Sequence, residues 1–243
     1  MEKLKDKVIL ITGANRGIGK SLVKAALEKG ASKIYATSRD LLRMPDFSDD
    51  RVISIELDIT NESQIAQVIK HTSDTQILIN NAGVLNPGTI IGGELNGMEN
   101  DMNVNYYGTL KMMKAFAPIL ETNTPARIIN IVSIAAYSPL PSIAGYAASK
   151  AALFSATHSV RIELAKKGIT VHTVNPGAID TDMNAGSDWE MPAPDGIAKI
   201  ILNEVETDNL DIVPDNMGLD MLNAWKEEPS KLAEIFHNMY HQE

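Results

Sequence analysis

Residues 8–21 read VILITGANRGIGKS, a short β-branched run followed by a glycine-rich turn and the start of a helical pattern. The run at 8–12 predicts a buried strand, and residues 17–29 predict a helix that ends at Gly30. Amide groups at a helix N-terminus that no side chain shields make a favourable site for an anion. The stretch therefore predicts an α/β protein whose first turn holds a phosphate, although a tight turn without any ligand could use the same glycines.

Two phosphate-binding motifs compete for this turn. A P-loop needs a glycine five residues before its Gly-Lys-Ser/Thr ending. Gly19-Lys20-Ser21 supplies that ending, but the required position holds Ala14. The strict dinucleotide fingerprint G-x-G-x-x-G is absent too, because the glycines are spaced Gly13-x-x-x-Gly17-x-Gly19. A P-loop ATPase or GTPase is therefore disfavoured, and a wider dinucleotide turn is the better interpretation.

Strand and helix patterns alternate outward from this turn. Further strands are predicted at residues 33–37, 52–56, 76–80, 126–133 and 169–175. Helices are predicted at 61–71, 97–120 and 144–167, and one or two more at 217–242, broken near Pro229. This order predicts an α/β fold, with a doubly wound sheet of about seven mostly parallel strands and helices on both faces.

Composition narrows the class of protein. The chain has 243 residues, 44% of them hydrophobic, with a formal net charge of −9 and no cysteine. An acidic balance argues against nucleic acid and anionic membranes as partners, and the lack of cysteine excludes disulfides, thiol catalysis and Cys-based metal sites. His237 and His241 have a spacing that can bind metal but lack a third ligand, so no metal is predicted. The start of the sequence has no signal-peptide pattern and no run of about 20 apolar residues follows, so a cytoplasmic protein is expected.

The segment TGANRGIG resembles the nucleotide turn TGxxxGxG of the short-chain dehydrogenase/reductase family, and more of the family's motifs follow in its order. They are Asn80-Asn81-Ala82-Gly83 after the fourth strand, Asn105 in NVNYYG, Ser133 after the fifth strand, Tyr146 and Lys150 in GYAASK, and Pro176-Gly177 after the sixth strand. The resemblance covers about three quarters of the chain, from residue 8 to about residue 183. It implies a Rossmann-type dinucleotide-binding and catalytic domain over residues 1–243, with a divergent helical tail from about 215.

The resemblance also implies a catalytic group of Asn105, Ser133, Tyr146 and Lys150. Tyr146 and Lys150 lie four residues apart and thus on one helix face. A cation within ~4–6 Å lowers a tyrosine pKa from its ordinary value of about 10, so we expect Lys150 to bring Tyr146 toward the operating pH. By resemblance Tyr146 is the general acid/base, Lys150 also binds the nicotinamide ribose, Ser133 hydrogen-bonds the substrate oxygen, and Asn105 holds a water of the proton relay.

Each of these residues has an ordinary alternative. A serine after a strand is often a turn residue, and a Tyr/Lys pair on a helix is often a packed ring beside a solvated charge. A nucleotide-binding regulatory protein without turnover is therefore a second hypothesis. All four residues together favour an NADP(H)-dependent oxidoreductase that interconverts a ketone or aldehyde with its alcohol, such as a carbonyl reductase.

The second strand bears on the choice of cofactor. An acid about 20 residues past the glycines binds a free ribose 2′-hydroxyl and repels a 2′-phosphate. Alignment with the family places Ser38 at this position, followed by Arg39, and Arg16 adds a second cation. These residues favour NADP(H); NAD(H) is the alternative if Asp40 takes the ribose role. The cofactor residues implied in all are Gly13, Asn15, Arg16, Gly17, Ile18, Gly19, Ser38, Arg39, Asp58, Ile59, Asn81, Ala82, Gly83, Tyr146, Lys150, Pro176, Gly177, Ile179 and Thr181.

The substrate side is predicted to be apolar. The residues expected to line it are Leu85, Ile134, Leu140, Ile143, Met183 and Trp189, and core packing is the alternative for the methionine and the tryptophan. We therefore expect a small carbonyl or alcohol substrate with an apolar group.

The tail lacks the last strand and glycine-rich end of many family members, which puts a tetramer in doubt. A homodimer through helices 97–120 and 144–167 is one hypothesis, and a tail that caps the substrate mouth with Trp225 or Phe236 is the alternative.

Overall fold

The computed structural model describes residues 3–137, 140–188 and 190–241, and within them the side chains of all residues except Met239 and His241. A sheet of seven strands has the order β3-β2-β1-β4-β5-β6-β7, with every neighbouring pair parallel. The strands are β1 (Val8–Thr12), β2 (Lys33–Ser38), β3 (Val52–Glu56), β4 (Ile77–Asn80), β5 (Ala126–Ile131), β6 (Ile169–Val174) and β7 (Asp211–Ile212). The strand order reverses between β1 and β4, where doubly wound sheets open a crevice for a ligand. The predicted fold class is confirmed.

Helices cover both faces of this sheet. They are α1 (Gly17–Glu28), α2 (Glu62–His71), α3 (Leu95–Asp101), α4 (Thr109–Thr122), α5 (Ala144–Leu164), α6 (Pro194–Glu206), α7 (Asn216–Glu227) and α8 (Pro229–His241). Between α3 and α4 the chain forms a π-helix, Met102–Gly108. None of the helices in the described part of the chain has the length and hydropathy that crossing a bilayer demands.

Alternating residues of the central strands build two separate cores. Ile9 and Ile11 of β1 face α1 and α6, whereas Leu10 faces the layer of α2, α4 and α5. Strands buried on both faces need continuous apolar runs, which is why β4 (ILIN) and β5 (ARIINI) show no polar alternation. The two cores hold the carboxyl ends of β1, β4 and β5 side by side.

The structure differs from the predicted elements at four places. The helix predicted at 97–120 is interrupted by the π-helix, and the strand predicted at 126–133 ends at Ile131. Helix α6 was not predicted, although Pro194 occupies its first turn. The expectation that the last strand is lost is wrong, because Asp211 and Ile212 pair with β6 as the short strand β7.

Candidate active site

A cleft of about 340 Å³ opens at the carboxyl ends of the strands. Its volume falls within the range of about 300–1,000 Å³ that is typical of small-molecule sites. All nineteen residues predicted to bind the cofactor line it, together with Ser133 and every predicted substrate residue that the structure describes. Trp189 lies outside the described residues. The cleft thus gathers positions from Gly13 to Thr181 into one site.

The glycine turn is packed against the segment that follows β4. A Cβ on Gly13, whose φ is +64°, would lie 2.9 Å from the Ala82 backbone, and a Cβ on Gly19 would lie 2.2 Å from the Gly13 carbonyl oxygen. The Asn81 side chain donates to the carbonyls of Thr12 and Gly13 at 2.9 and 3.0 Å. Only glycine allows this approach, so the turn and the Asn81 segment form one floor of the cleft.

The first helix starts in a way that suits an anion. Arg16 is the N-cap of α1, and no side chain among the described residues caps the helix there. The first turn also contains no acidic residue. The helix therefore presents its first amide groups and its positive dipole end to the cleft.

Ser133, Tyr146 and Lys150 converge on the middle of this cleft, and all three are buried. Ser133 lies two residues beyond β5, where its Oγ accepts a hydrogen bond from the Ala135 amide at 3.1 Å. Tyr146 and Lys150 lie one turn apart on α5, with the Lys150 Nζ 5.6 Å from the centre of the tyrosine ring. Nζ donates to the Ile131 carbonyl at 2.9 Å. The predicted Tyr/Lys pair is therefore a buried pair facing the cleft.

The electrostatics of this pair differ from the prediction. Burial raises the pKa of Tyr146 to about 12, opposed by its hydrogen bond with Ser133. Burial also lowers the pKa of Lys150 to about 8. The expected lowering of the Tyr146 pKa by Lys150 is wrong for this structure, because removal of the phenol from water outweighs the other influences.

Asn105 lies behind the cleft, fully buried in the π-helix. Its Oδ1 accepts from the Val84 amide at 2.8 Å, and its Nδ2 donates to the Val84 carbonyl and to the Ser149 Oγ, both at 2.9 Å. The side chain thus holds the segment after β4 against α5. A Cβ on Gly83 would lie 3.1 Å from Asn105 Oδ1 and 3.6 Å from Lys150 Nζ, so glycine keeps this corner open.

Ser38 and Asp40, the two candidates for contact with the adenosine ribose, lie at different positions relative to the end of β2. The strand ends at Ser38, and Asp40 lies two residues beyond it. The Asp40 carboxylate is engaged locally, since Oδ1 accepts from the Leu42 amide at 3.0 Å and Oδ2 pairs with Arg43 at 3.4 Å. Arg43 lines the cleft with Arg39 and was missed in the sequence, because the short 3-10 turn that carries it leaves no periodic pattern.

Asp58, one of the predicted cofactor residues, lies between β3 and α2. Its Oδ1 accepts from the Thr60 amide at 2.8 Å and from the Thr60 hydroxyl at 2.7 Å. Asn61 is the N-cap of α2. Asp58 therefore shapes the turn before α2 and lines the cleft as well.

The C-terminal helices contribute to the lining of the cleft. Met217 and Met221 of α7 and Phe236 of α8 line it, beside the apolar residues predicted from the sequence. Phe236 therefore reaches the mouth as one alternative predicted. Trp225 instead packs on Tyr137, with ring centres 5.0 Å apart.

Asp215 and the Arg16–Asp182 ion pair connect segments that follow β6 to other parts of the cleft wall. Asp215 accepts from the Gly177 amide through Oδ2 and from the Gly218 amide through Oδ1, both at 2.8 Å. Arg16 and Asp182 form an exposed ion pair at 3.0 Å. The start of α7 is thus joined to the turn after β6, and the glycine turn to the segment that follows Thr181.

Comparison with known proteins agrees with this geometry. A family model described as short chain dehydrogenase matches residues 7–191. A protein of Staphylococcus saprophyticus, named as an uncharacterized oxidoreductase, is 32% identical over 200 residues, covering 78% of this chain and 85% of the relative. A similarly named protein of Staphylococcus epidermidis is 31% identical over 196 residues, with the same coverage.

Two solved structures share the fold. A short chain dehydrogenase from Burkholderia cenocepacia, in complex with NADP, has a TM-score of 0.92 and 34% identity, covering 97% of this chain and 99% of that chain. A short chain dehydrogenase/reductase from Burkholderia phymatum, in complex with NAD, has a TM-score of 0.84 and 22% identity over 94% and 95% of the two chains. The chain belongs to the short-chain dehydrogenase/reductase family and is an oxidoreductase acting on CH–OH or C=O groups of small molecules with a nicotinamide dinucleotide.

Proposed function

We propose that the protein is an NADP(H)-dependent carbonyl reductase, which interconverts an apolar ketone or aldehyde with its alcohol. The observation that carries this proposal is the meeting of Ser133, Tyr146 and Lys150 in one cleft with an uncapped helix N-terminus. A protein that only bound a nucleotide would not need a buried phenol and a buried ammonium beside each other, since both cost desolvation energy.

The proposed chemistry assigns one task to each residue. The nicotinamide, when bound, supplies or accepts the hydride at the substrate carbon. Ser133 donates a hydrogen bond to the substrate oxygen, and Tyr146 gives that oxygen a proton during reduction. A phenol with a raised pKa is fully protonated at neutral pH and so starts in the form that reduction requires. Lys150 carries positive charge beside the phenol and binds the ribose hydroxyls of the cofactor.

Asn105 is proposed to support the path of the proton from behind the site. Both protons of its Nδ2 are already donated, whereas its Oδ1 accepts a single hydrogen bond within the described residues. An amide oxygen has two lone pairs. One acceptor position is therefore left for a water molecule of the relay.

The proposed preference for NADP(H) rests on charge at the end of β2. Arg39, Asp40 and Arg43 line this end of the cleft, and the Asp40 carboxylate is held by the Leu42 amide and by Arg43. Arginine suits a 2′-phosphate because it binds such groups through paired hydrogen bonds. The Burkholderia cenocepacia relative, which was solved with NADP, supports the same choice.

The proposed substrate class follows from the apolar part of the cleft lining. Eight aliphatic, methionine or aromatic side chains contribute to it: Leu85, Ile134, Leu140, Ile143, Met183, Met217, Met221 and Phe236. A surface of this kind gains affinity from apolar groups, at about 25 cal/mol per Å² buried. A ketone or aldehyde with a bulky apolar substituent is therefore the proposed substrate.

The experiment follows the absorbance of reduced cofactor with a panel of apolar and anionic carbonyl compounds, using NADPH and NADH in turn. We expect turnover of apolar ketones or aldehydes, with kcat/KM higher for NADPH. Equal kcat/KM for the two cofactors would contradict the NADP(H) preference, and turnover of anionic substrates alone would contradict the apolar site.

Tyr146→Phe tests the proton donor. Loss of a general acid/base lowers turnover by about 100- to 10,000-fold, so we expect kcat to fall by at least about 100-fold. The NADPH dissociation constant, measured by fluorescence titration, should stay within about twofold. Tyr35→Phe is the matched control, since Tyr35 is buried away from the cleft and donates to Asp74. Near-normal kcat in Tyr146→Phe would overturn the assignment.

A further inference from the structure

Asp101, the last residue of α3, is a charged side chain that the proposed mechanism does not use. Its side chain is fully buried, with 0% of the residue exposed. Its Oδ1 accepts from the Asn86 amide at 3.1 Å and from the Asn86 Nδ2 at 2.8 Å. Its Oδ2 is buried and has no hydrogen-bond partner within the described residues. One carboxylate oxygen is thus used and the other is not.

Asp101 lies close to the predicted catalytic residues. It precedes Asn105 by four residues, and the two side chains hold the same segment, Asn105 at Val84 and Asp101 at Asn86. Helix α3 packs tightly on the start of α5, since a Cβ on Gly145 would lie 2.7 Å from the Met98 side chain. This close approach, together with the Asn105 bond to Ser149, holds the end of α3 against the start of α5, the helix that carries Tyr146 and Lys150.

Anchoring the Asn86 segment does not explain the charge. The segment needs one acceptor oxygen, and an asparagine side chain at 101 would supply one. A buried carboxylate costs far more desolvation free energy than a buried amide unless a cation compensates it. Burial accordingly raises the pKa of Asp101, a shift that a nearby cation opposes.

The surrounding elements supply one cation. The titratable and charged groups on α3, on the π-helix and on the first two turns of α5 are Glu99, Asp101, Tyr106, Tyr107, Tyr146 and Lys150. Lys150 is the positive one among them. Burial raises the pKa of Asp101 and lowers the pKa of Lys150, and the charge of each group opposes the shift of the other.

We propose that Asp101 is a positioning residue, the buried counter-charge that keeps Lys150 protonated at neutral pH. Lys150 donates to the Ile131 carbonyl, a neutral group and the one acceptor it has in the described part of the chain. Burial alone moves its titration toward neutrality, and the carboxylate opposes that movement. The effect on catalysis rests on the proposed function of Lys150, whereas the charge coupling does not.

Asp101→Asn separates charge from anchoring, because the amide oxygen still accepts from Asn86 while the charge is gone. The pKa of Lys150 is measured by NMR on protein labelled with ¹³C at lysine Cε, and its resonance is assigned by its loss in Lys150→Met. We expect the Lys150 pKa to fall by about half a unit or more in Asp101→Asn, about a threefold rise in its acid dissociation constant. Glu99→Gln removes the same charge from an exposed position of α3 and should leave the titration unchanged.

A structural role alone predicts a different result. If Asp101 only anchors its neighbour, Asp101→Asn will leave the Lys150 titration where it is, and this outcome overturns the proposal. If Asp101→Asn fails to fold, Asp101→Ser provides the same comparison with a smaller neutral side chain. This titration needs neither cofactor nor substrate, so a failure of the proposed function would not disturb it. In an active enzyme, the alkaline limb of the kcat/KM profile should move to lower pH in the same variant.

Discussion

At the scale of single residues, the site is governed by the cost of burying ionisable groups. Tyr146 and Lys150 are both buried. Burial favours the neutral form of each group, so it raises the pKa of the phenol and lowers the pKa of the ammonium. The site therefore holds a neutral proton donor beside a cation whose charge is maintained at a cost. Such a cost belongs to function, because the fold would be more stable without it.

Lys150→Met makes that cost measurable. The folded-state pKa of Lys150 is about 8, below the unfolded value of about 10.4, so the protonated lysine destabilises the fold below pH 8. The destabilisation fades as pH rises toward 10.4. This lowered pKa already includes the attraction to Asp101. We expect Lys150→Met to raise the free energy of unfolding by about 2 kcal/mol at pH 7 and by less at pH 9.5, after allowing about 1 kcal/mol for the lost hydrogen bond.

Urea denaturation of the cofactor-free protein at both pH values checks this prediction. Lys166→Met is the control, since Lys166 is exposed at the end of the helical region and should show no such gain. A loss of stability at pH 7, or a gain of equal size at both pH values, would contradict the proposed cost. The same variant should bind NADPH more weakly and lose turnover, which separates it from Tyr146→Phe.

At the scale of elements, the π-helix shows where prediction from sequence stopped. The residues of Met102–Gly108 continue the helical pattern on either side, and nothing in their spacing distinguishes a π-helix from an α-helix. Its geometry is supported by tertiary contacts, the hydrogen bonds of Asn105 with Val84 and Ser149. A local pattern cannot contain partners that lie 21 and 44 residues away.

The remaining differences have the same kind of cause. The positions of β1, α1 and the glycine turn were predictable because apolar period and glycine spacing are local signals. Strand β7 has two residues, too few for any period. Helix α6 did carry a signal, since its buried residues Ile197, Ile201 and Val205 recur every four positions after Pro194, but the preceding run of glycine and proline obscured it. Met217 and Met221 line the cleft through tertiary contacts of α7, such as the bond between Asp215 and Gly177, which no local pattern contains.

Helix α8 is predicted to contribute to substrate choice through Phe236. Phe236→Ala removes a buried ring from the lining of the cleft. We expect kcat/KM for bulky apolar ketones to fall by about tenfold or more, because a buried aromatic side chain contributes at least about 1.5–3 kcal/mol of apolar contact. The NADPH dissociation constant should not change.

Steady-state kinetics with a large and a small ketone checks this prediction. Ile235→Ala is the matched control, as Ile235 is the preceding residue of α8, is 40% exposed and does not line the cleft. If kcat/KM fell equally for the two ketones, or equally in the two variants, α8 would affect stability and other residues would determine specificity.

At the scale of the whole molecule, the layer of α4 and α5 is proposed to form a homodimer. Ile162 on α5 is 79% exposed, which is unusual for a large apolar side chain on an otherwise polar helix face. We expect light scattering to give twice the chain mass of 26.4 kDa. Ile162→Glu should convert the dimer into monomers, because pairing two copies would bury the carboxylates.

Ile200→Glu controls for the added charge. Ile200 is 42% exposed and lies on α6, on the opposite side of the sheet. It should leave the mass at the dimer value. A monomeric parent protein, or dissociation by Ile200→Glu alone, would contradict a dimer built on α4 and α5.

The residues proposed to bind the cofactor and the C-terminal residues proposed to select the substrate lie in different parts of the chain. Every residue proposed to hold the cofactor precedes residue 182, within the part that matches the family, while Met217, Met221 and Phe236 follow it. Asp215 is the joint between the two parts. Evolution can therefore change the C-terminal helices and keep the cofactor-binding part. We expect that a grafted C-terminal segment joined after Asp215 changes which carbonyl compound is reduced and leaves hydride transfer intact. For protein engineering, the last 28 residues are the segment to exchange first.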